Sequence, residues 1–301
     1  MRFGLPYQGS KSKFAPWILD HLPDADVLVE PFAGGCAFTH CALLSGKFRQ
    51  VIANDRRPMV DFFLRSVKGE YQDRHAFVGR EHFHNTKKVD LFNAQCFSFG
   101  PNGISYLYGC SLEPYKLALH DAVVNKEYER LYTISPRVCD VIKGALQGHE
   151  TMDDRRLAVS GLAKSGSPLH AVVGELQLVN TIDALCKLDH ILRINRVNSL
   201  IGLDISALTP LQKDYTEIEI PRGAVIYCDP PYEGTSCACY KCKFDFNSFL
   251  TWCHALSKTN DVFVSSYKID DDRVRLASER SNGRSFGLRG RPVVERLYKV
   301  I

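Results

Sequence analysis

The sequence predicts an α/β protein, namely a doubly wound sheet that is interrupted by an inserted, mostly helical domain. Short apolar runs, each ending in an acidic or glycine-rich loop, occur near both ends of the 301-residue chain, and apolar residues recur at helical spacing between them. The length is also typical of about two domains. We therefore expect one discontinuous domain formed by residues 1–70 and 191–301, with an insert at residues 71–190.

The first half of the sheet is predicted from two strand–loop–helix units. Each unit begins with an apolar run of strand length and continues, after a turn, into apolar residues at helical spacing. The first strand is followed by Glu30-Pro31 and the second by Asn54-Asp55. In chain order the elements are a strand at 27–29, a turn at 32–35, a helix at 38–44, a strand at 51–53 and a helix at 59–67.

The strand pattern returns after the insert. The run Ser199–Leu203 ends at Asp204, and the run Ala224–Cys228 ends at Asp229. Because the carboxyl ends of strands in open α/β sheets face the ligand crevice, we expect the loops that follow the strands to converge in space. The remaining predicted elements are a helix at 249–256 and strands at 262–266 and 293–300.

Composition and charge exclude several classes of protein. Hydrophobic residues make up 45% and charged residues 24% of the chain, which is typical of a globular protein and not of a disordered one. No apolar run approaches the ~20 residues that span a bilayer, and the first residues carry no apolar signal core, so we expect neither a membrane protein nor an exported one. Residues 273–301 contain eight Lys or Arg and two Glu, a net charge of +6 against +4 for the whole chain. This basic segment indicates either a polyanionic partner or a solvated basic face.

The eleven cysteines fit free thiols in a reducing compartment better than a disulfide framework, because the chain is long and carries no export signal. Cys237, Cys239 and Cys242 stand close together, a spacing that also occurs in zinc sites. Since no second Cys/His pair follows at the spacing of a zinc finger, we predict a loop of small residues and no metal.

The strongest chemical signal is Asp229-Pro230-Pro231-Tyr232, which follows an apolar strand. Prolines fix φ and have no N–H, so this turn offers a carboxylate, the Pro230 carbonyl and a flat ring with few donors nearby. Such a corner suits a planar group that carries an NH2, such as an adenine turned out of a duplex. Two acceptors holding both N–H bonds would localise the nitrogen lone pair, and their contacts would strengthen as positive charge develops on nitrogen.

Three weaker signals lie nearer the N-terminus. The turn Phe32–Gly35 lets the backbone approach a ligand beside a helix N-terminus, although an ordinary strand-to-helix turn has the same pattern. Asp55 stands where α/β folds hold ribose hydroxyls, or it caps the next helix. Tyr7 and Lys11 flank the flexible loop at 8–10, which either clamps a carboxylate or phosphate or is an ordinary loop.

Together and in this order, the motifs resemble those of the alpha-class DNA adenine-N6 methyltransferases, the Dam-like enzymes of bacteria and phages. The family's PYxGGK, FxGxG and DPPY motifs read here as Pro6–Lys11, Phe32–Cys36 and Asp229–Tyr232. Two positions depart from the pattern. Ser10 replaces a glycine of the first motif, and Cys36 replaces the second glycine of FxGxG, where it would crowd the cofactor if that position needs a positive φ. Further similarity extends to residues 96–109, Tyr240, Phe244-Asp245, Phe249 and Glu295–Tyr298.

The resemblance implies a Rossmann-like methyltransferase sheet with S-adenosylmethionine as cofactor. The enzyme would transfer a methyl group to the exocyclic N6 of an adenine flipped out of double-stranded DNA, at a specific sequence. The implied catalytic residues are Asp229, Pro230 and Tyr232, and the implied cofactor-binding residues are Tyr7, Lys11, Phe32, Gly34, Asp55, Asp204 and Asp229.

The resemblance also implies that the insert at residues 71–190 is a target-recognition domain and that it binds DNA together with the basic tail. Candidate DNA contacts are Arg74, Asn102, Lys116 and Arg137 in the insert and Arg284 and Arg289 in the tail. Cytosine-N4 or RNA adenine methylation, and a catalytically weak DNA-binding protein of the same fold, remain alternatives. We expect a cytoplasmic protein of a bacterial or phage-infected cell with no membrane partner; its oligomeric state is left open.

Overall fold

The computed structural model describes residues 2–164, 166–172, 182–231, 244–284 and 292–301, except for the side chains at 282–284 and 292–293. The chain forms two compact units. The first consists of Met1–Gly69 and Leu200–Ile301, and the second is Glu70–Ser199. The second unit ends later than the predicted 71–190, because the helix Asp189–Asn198 belongs to it.

The first unit is built on a seven-stranded sheet whose order is β3-β2-β1-β4-β5-β7-β6. Strands β3, β2, β1, β4 and β5 pair in parallel, whereas β7 pairs antiparallel with both β5 and β6. From β1 the chain first moves outward to β2 and β3 and later returns to β4 on the other side of β1. This reversal opens a crevice at the carboxyl ends of β1 and β4, and the doubly wound prediction is confirmed. The strands are β1 Val27–Glu30, β2 Gln50–Asn54, β3 Leu208–Leu211, β4 Val225–Cys228, β5 Asp261–Ser266, β6 Val274–Arg284 and β7 Pro292–Val300.

Helices cover both faces of this sheet. Successive residues of a strand point to opposite faces, and in β4 Val225 packs on one apolar core while Ile226 packs on the other. The first core includes Phe38 and the second includes Phe249, each contributed by a helix. Because both faces are buried, the central strands are apolar throughout. The α-helices of the first unit are α1 Ala15–His21, α2 Ala37–Ser45, α3 Met59–Val67 and α13 Phe246–Ser257.

The predicted strand at Ser199–Leu203 is wrong. Ser199 caps the preceding helix, and the residues after it form a turn in which the N–H of Gly202 donates to the Val67 carbonyl over 3.2 Å. The strand lies further on, at Leu208–Leu211, and occupies the sheet edge. Pro210 in this strand lacks an N–H, which an edge position tolerates. Leu200 is buried as the anchor of the turn, which explains the misleading apolar run.

The second unit is helical, as the spacing predicted, and packs around its own apolar core, which includes Leu119, Val159 and Ile191. No helix in the described part of the chain is long and apolar enough to cross a membrane. The α-helices of this unit are α4 Arg80–Thr86, α5 Leu91–Cys96, α6 Glu113–His120, α7 Glu129–Ile134, α8 Pro136–Leu146, α9 Met152–Gly161, α10 Pro168–Val172, α11 Ile182–Cys186 and α12 Asp189–Asn198.

Candidate active site

Four segments converge at the carboxyl ends of β1, β2 and β4. They are the N-terminal loop, the glycine turn after β1, the residues after β2 and the start of the DPPY motif after β4. Residues of all four segments line one cavity of about 40 Å³. The predicted convergence is therefore observed for the loops that follow β1, β2 and β4. The polar and aromatic side chains of its lining include Tyr7, Lys11, Glu30, Asp55 and Asp229.

The glycine turn is closed by the ring of Tyr7. Gly34 has φ +49°, and a Cβ placed on it would lie 2.9 Å from Cε1 of Tyr7. A Cβ on Gly35 would lie 2.5 Å from Cβ of Tyr7. Neither position accepts a side chain without displacing the ring, so the two glycines allow Tyr7 to pack closely against the turn at the wall of the cavity.

Asp55 supports the turn from β2. Its carboxylate accepts hydrogen bonds from the backbone N–H groups of Gly34 and Arg57, each over 2.9 Å. Burial raises the pKa of Asp55 to about 6, although these two hydrogen bonds favour the charged form. The side chain is thus mostly ionised at neutral pH and remains able to accept further hydrogen bonds through its second lone pairs.

Glu30, at the end of β1, is almost fully buried and accepts a hydrogen bond from the Thr39 hydroxyl. Burial raises the pKa of Glu30 to about 8, and the negative charge of Asp229 acts in the same direction. Glu30 is therefore mainly neutral at pH 7 and contributes little negative charge to the cavity that it lines.

Cys36 does occupy a position that needs a positive φ. Its φ is 55° and its ψ is 34°, immediately before α2. Its side chain is buried, and Cys36 is not among the described residues that line the cavity. The departure from the glycine pattern therefore strains the backbone but does not narrow the cavity.

Lys11 brings its ammonium group to the catalytic candidate Asp229. The Lys11 Nζ lies 2.9 Å from Oδ1 of Asp229 and 3.6 Å from Oε1 of Glu295, a buried residue on β7. Burial alone lowers the pKa of Lys11, but the charges of Asp229 and Glu295 outweigh it and raise that pKa above its ordinary value. The lysine therefore stays charged beside the two carboxylates.

Asp229 and Pro230 stand at the corner that follows β4. The Asp229 side chain is 19% exposed and Pro230 is buried, so the carboxylate borders the crevice while the proline anchors the turn. Tyr232, the third predicted catalytic residue, lies outside the described residues.

A second cavity, of about 240 Å³, adjoins the first and shares Phe32 and Asp55 with it. Its wall includes the rings of Phe32, Tyr215 and Phe244, whose centroids lie 5.2 to 6.1 Å apart. Asp214 borders the same space. Flat rings beside a carboxylate suit a purine base that carries an amino group.

Asp204 does not stand at this cavity. It precedes β3 and is exposed at the amino end of that strand, where its carboxylate accepts a hydrogen bond from the Ser206 N–H over 2.9 Å. The ligand-facing edge of the sheet is the carboxyl end, so the prediction for Asp204 is wrong in position. Asp214 and Tyr215, which follow β3, line the second cavity instead, and an acid three residues after the short run Leu208–Leu211 was the available signal.

The prediction that Lys116 contacts DNA is also wrong, because its side chain is buried. It is 1% exposed, and its ammonium donates to the main-chain carbonyls of Ala184, Leu185 and Lys187, with a distance of 2.8 Å to Leu185. These carbonyls belong to the C-terminal end of α11, which has no further helical donors for them. Lys116 therefore stabilises the insert from inside.

The other candidate DNA contacts differ in their surroundings. Arg74 forms an ion pair with Asp90, with 2.7 Å between Nη2 and Oδ2, and is only partly exposed. The side-chain oxygen of Asn102 accepts two backbone N–H bonds within its own turn. Arg137 is exposed near the start of α8. Arg284 ends β6, but its side chain is outside the described residues, as is the whole of Arg289.

The possible metal site is not tested. Cys237, Cys239 and Cys242 lie outside the described residues. Within the described ranges, no group of three or more His, Cys, Asp or Glu side chains is arranged to hold a metal ion.

Comparison with known proteins gives a family match in the N-terminal part of the chain. Residues 7–89 match the family model described as D12 class N6 adenine-specific DNA methyltransferase. A search of curated proteins found no match. The matched segment contains the N-terminal loop, the glycine turn and Asp55, which meet Asp229 at one cavity. The family match and the mostly parallel, doubly wound sheet both support a Dam-like N6 adenine-specific DNA methyltransferase.

Proposed function

We propose that the methyl donor is S-adenosylmethionine and that the acceptor is an adenine flipped out of double-stranded DNA into the corner at Asp229. The observation that carries this proposal is that Asp229 and the glycine turn line the same cavity. The reaction would modify a specific DNA sequence in the cytoplasm of a bacterial or phage-infected cell. When bound, S-adenosylmethionine supplies an electrophilic methyl group on a sulfonium centre.

The residues of the two cavities fit this cofactor. The rings of Phe32 and Tyr215 would stack on its adenine, and Asp214 would accept a hydrogen bond from the adenine amino group. Asp55 would hold the ribose hydroxyls, since its carboxylate lies at the junction of the two cavities. The cofactor would also contact Tyr7, Lys11 and Gly34 at the first cavity, and Asp204 has no part in this arrangement.

Asp229 and Pro230 would act on the target amine. The Asp229 carboxylate and the Pro230 carbonyl would each accept one N–H of the exocyclic amino group, which draws its lone pair out of conjugation with the ring. These contacts strengthen as the nitrogen becomes positive, so they lower the barrier and do not merely bind the base. Asp229 or water would take the proton after methyl transfer, when the nitrogen has become acidic. Tyr232 would stack on the flipped base.

The test is a methyl-transfer assay on duplex DNA with labelled S-adenosylmethionine, followed by mass spectrometry of the digested nucleosides. Wild type should produce N6-methyladenine, and Asp229→Ala should lower kcat by roughly a hundredfold or more. The matched control is Asp204→Asn, an exposed carboxylate at the other end of the sheet, which should retain wild-type kcat. Undiminished activity of Asp229→Ala would refute the mechanism. Calorimetry showing no binding of S-adenosylmethionine to wild type would refute the cofactor assignment.

A further inference from the structure

A buried ion cluster lies beside the catalytic corner, and only part of it is explained by the proposed reaction. Lys11 stands between the carboxylates of Asp229 and Glu295, with Nζ–O distances of 2.9 and 3.6 Å. Glu295 is 3% exposed and comes from β7, far along the chain from both partners. A buried carboxylate is costly to desolvate, so its retention here calls for a partner inside the protein, and Lys11 is that partner.

The position of Glu295 follows from the sheet. It lies two residues before Leu297 on the same strand, so both side chains point to the same face. Leu297 is fully buried in the core that also contains Tyr227 and Phe38. Glu295 thus extends that core towards the N-terminal loop, where it meets Lys11. The other titratable side chains that act electrostatically on members of this cluster include Tyr267, Tyr227, Glu30 and Cys228.

The charges of Lys11, Asp229 and Glu295 show how Glu295 affects the site. Lys11 and Asp229 alone form a neutral pair, and a neutral pair attracts developing positive charge on the target nitrogen weakly. A hydrogen bond from the lysine also competes with the target amino group for the acceptor capacity of Asp229. With Glu295 included, the three groups carry a net charge of −1, and the ammonium has a second carboxylate to bind.

We propose that Glu295 is a positioning residue for the methyl transfer: it shares Lys11 with Asp229, and so leaves the Asp229 carboxylate negative and available to the target amino group. This inference rests on the proposed function. On entry of the base, Lys11 shifts towards Glu295 while Asp229 accepts the N–H of the amine. Glu295 itself does not touch the base or the cofactor.

The experiment compares Glu295→Gln with Glu295→Asp in single-turnover methyl transfer to duplex DNA. Glu295→Gln keeps the shape but removes the charge, and should lower kcat about ten- to a hundredfold while the Kd of S-adenosylmethionine changes by less than about threefold. Glu295→Asp keeps the charge and should recover a large part of kcat. The matched control is Glu279→Gln, an exposed glutamate on the neighbouring strand β6 that pairs with Arg296 over 3.0 Å, and it should leave kcat unchanged.

The pH dependence of kcat provides a second readout that a purely structural residue would not alter. Without Glu295, the ammonium of Lys11 stays on Asp229, which stabilises the carboxylate against protonation, so the acid limb of the profile should move to lower pH. Wild-type kcat in Glu295→Gln would overturn the inference. Equal losses in Glu295→Gln and Glu295→Asp with an unshifted acid limb would also overturn it. Failure of the proposed function is distinguishable, because it would appear in wild type as absent cofactor binding or in Asp229→Ala as retained activity.

Discussion

Replacing Lys116 by Met is expected to destabilise the inserted unit without acting on DNA directly. The ammonium donates three hydrogen bonds to carbonyls at the end of α11 and lies 4.9 Å from the centroid of the Tyr108 ring. Burial lowers the pKa of Lys116 to about 8, so at neutral pH the charged form with three donors still predominates. Met has a similar length, so it fills the space but leaves the carbonyls without donors.

The size of the effect follows from these contacts. A hydrogen bond contributes a net ~1 kcal/mol to stability, and more where one partner is charged. Three such bonds, offset in part by the recovered desolvation cost of the lysine, give an expected loss of about 3 kcal/mol in the free energy of unfolding. The matched control is Lys143→Met, because Lys143 is exposed on α8 and its replacement should cost less than about 0.5 kcal/mol.

Urea unfolding can assign the loss to one unit of the protein. Both tryptophans, Trp17 and Trp252, belong to the first unit, so their fluorescence reports on the sheet. Far-ultraviolet circular dichroism reports mainly on helices, and the second unit is helical. Lys116→Met should shift the dichroism transition to lower urea and leave the fluorescence transition in place.

Unchanged stability of Lys116→Met together with weaker DNA binding would instead indicate that Lys116 contacts a DNA phosphate. In that case the unfolding midpoint would match wild type, while the slope of log Kd for duplex DNA against log salt would fall by about one unit. A pattern of unchanged stability and a reduced salt slope would refute the reasoning from burial.

Three further outcomes are expected. Asp214→Asn should weaken binding of S-adenosylmethionine about tenfold in calorimetry, whereas Asp204→Asn should not change it; equal Kd values would contradict the placement of the adenine cavity. The unfolding free energy of the insert should fall as pH drops from about 6.5 towards 4. Burial lowers the pKa of His120 to about 4 and holds the pKa of His190 well below its ordinary value, so the unfolded chain binds more protons in this window; urea midpoints at several pH values measure the change. Cys36→Gly should leave the melting temperature within a few degrees of wild type, since relief of the positive φ offsets the lost thiol packing and the added chain entropy, and a large drop would contradict that balance.

Local rules were sufficient for β1, β2 and β4, the three strands that lead into the first cavity. Glu30 and Asp229 directly follow short apolar runs, and Asp55 follows one after Asn54. Such a run is typical of a strand in a parallel sheet that is buried on both faces. The end of each run therefore gives both the strand and the edge at which the acid stands. The convergence of these acids at one cavity needed only the handedness and order of an open α/β sheet.

The same rules failed where one pattern fits two structures: an apolar run fits a strand or a buried turn, and a lysine can be exposed or buried. Leu200 is apolar because it anchors a turn after a helix, and the true edge strand at 208–211 is partly exposed and contains a proline, so its pattern is weak. From the sequence alone, Lys116 is expected to be exposed, as most lysines are. Its partners are main-chain carbonyls at Ala184 and beyond, and carbonyls carry no sequence signature. Burial of a lysine by distant backbone therefore required the three-dimensional structure.

The charges at the site also favour binding of the proposed methyl donor over binding of the demethylated product. Asp55, Asp229 and Glu295 bring three carboxylates to this region, and Lys11 stands between two of them. Glu30 adds little charge because its pKa lies near 8. The balance is negative, and S-adenosylmethionine carries a net charge of +1 whereas the demethylated product is neutral. Because these carboxylates are largely buried, salt screens them weakly. With S-adenosylmethionine as the proposed donor, the site would therefore attract the donor more than the product, and loss of the sulfonium charge in each turnover would favour exchange of product for a new donor.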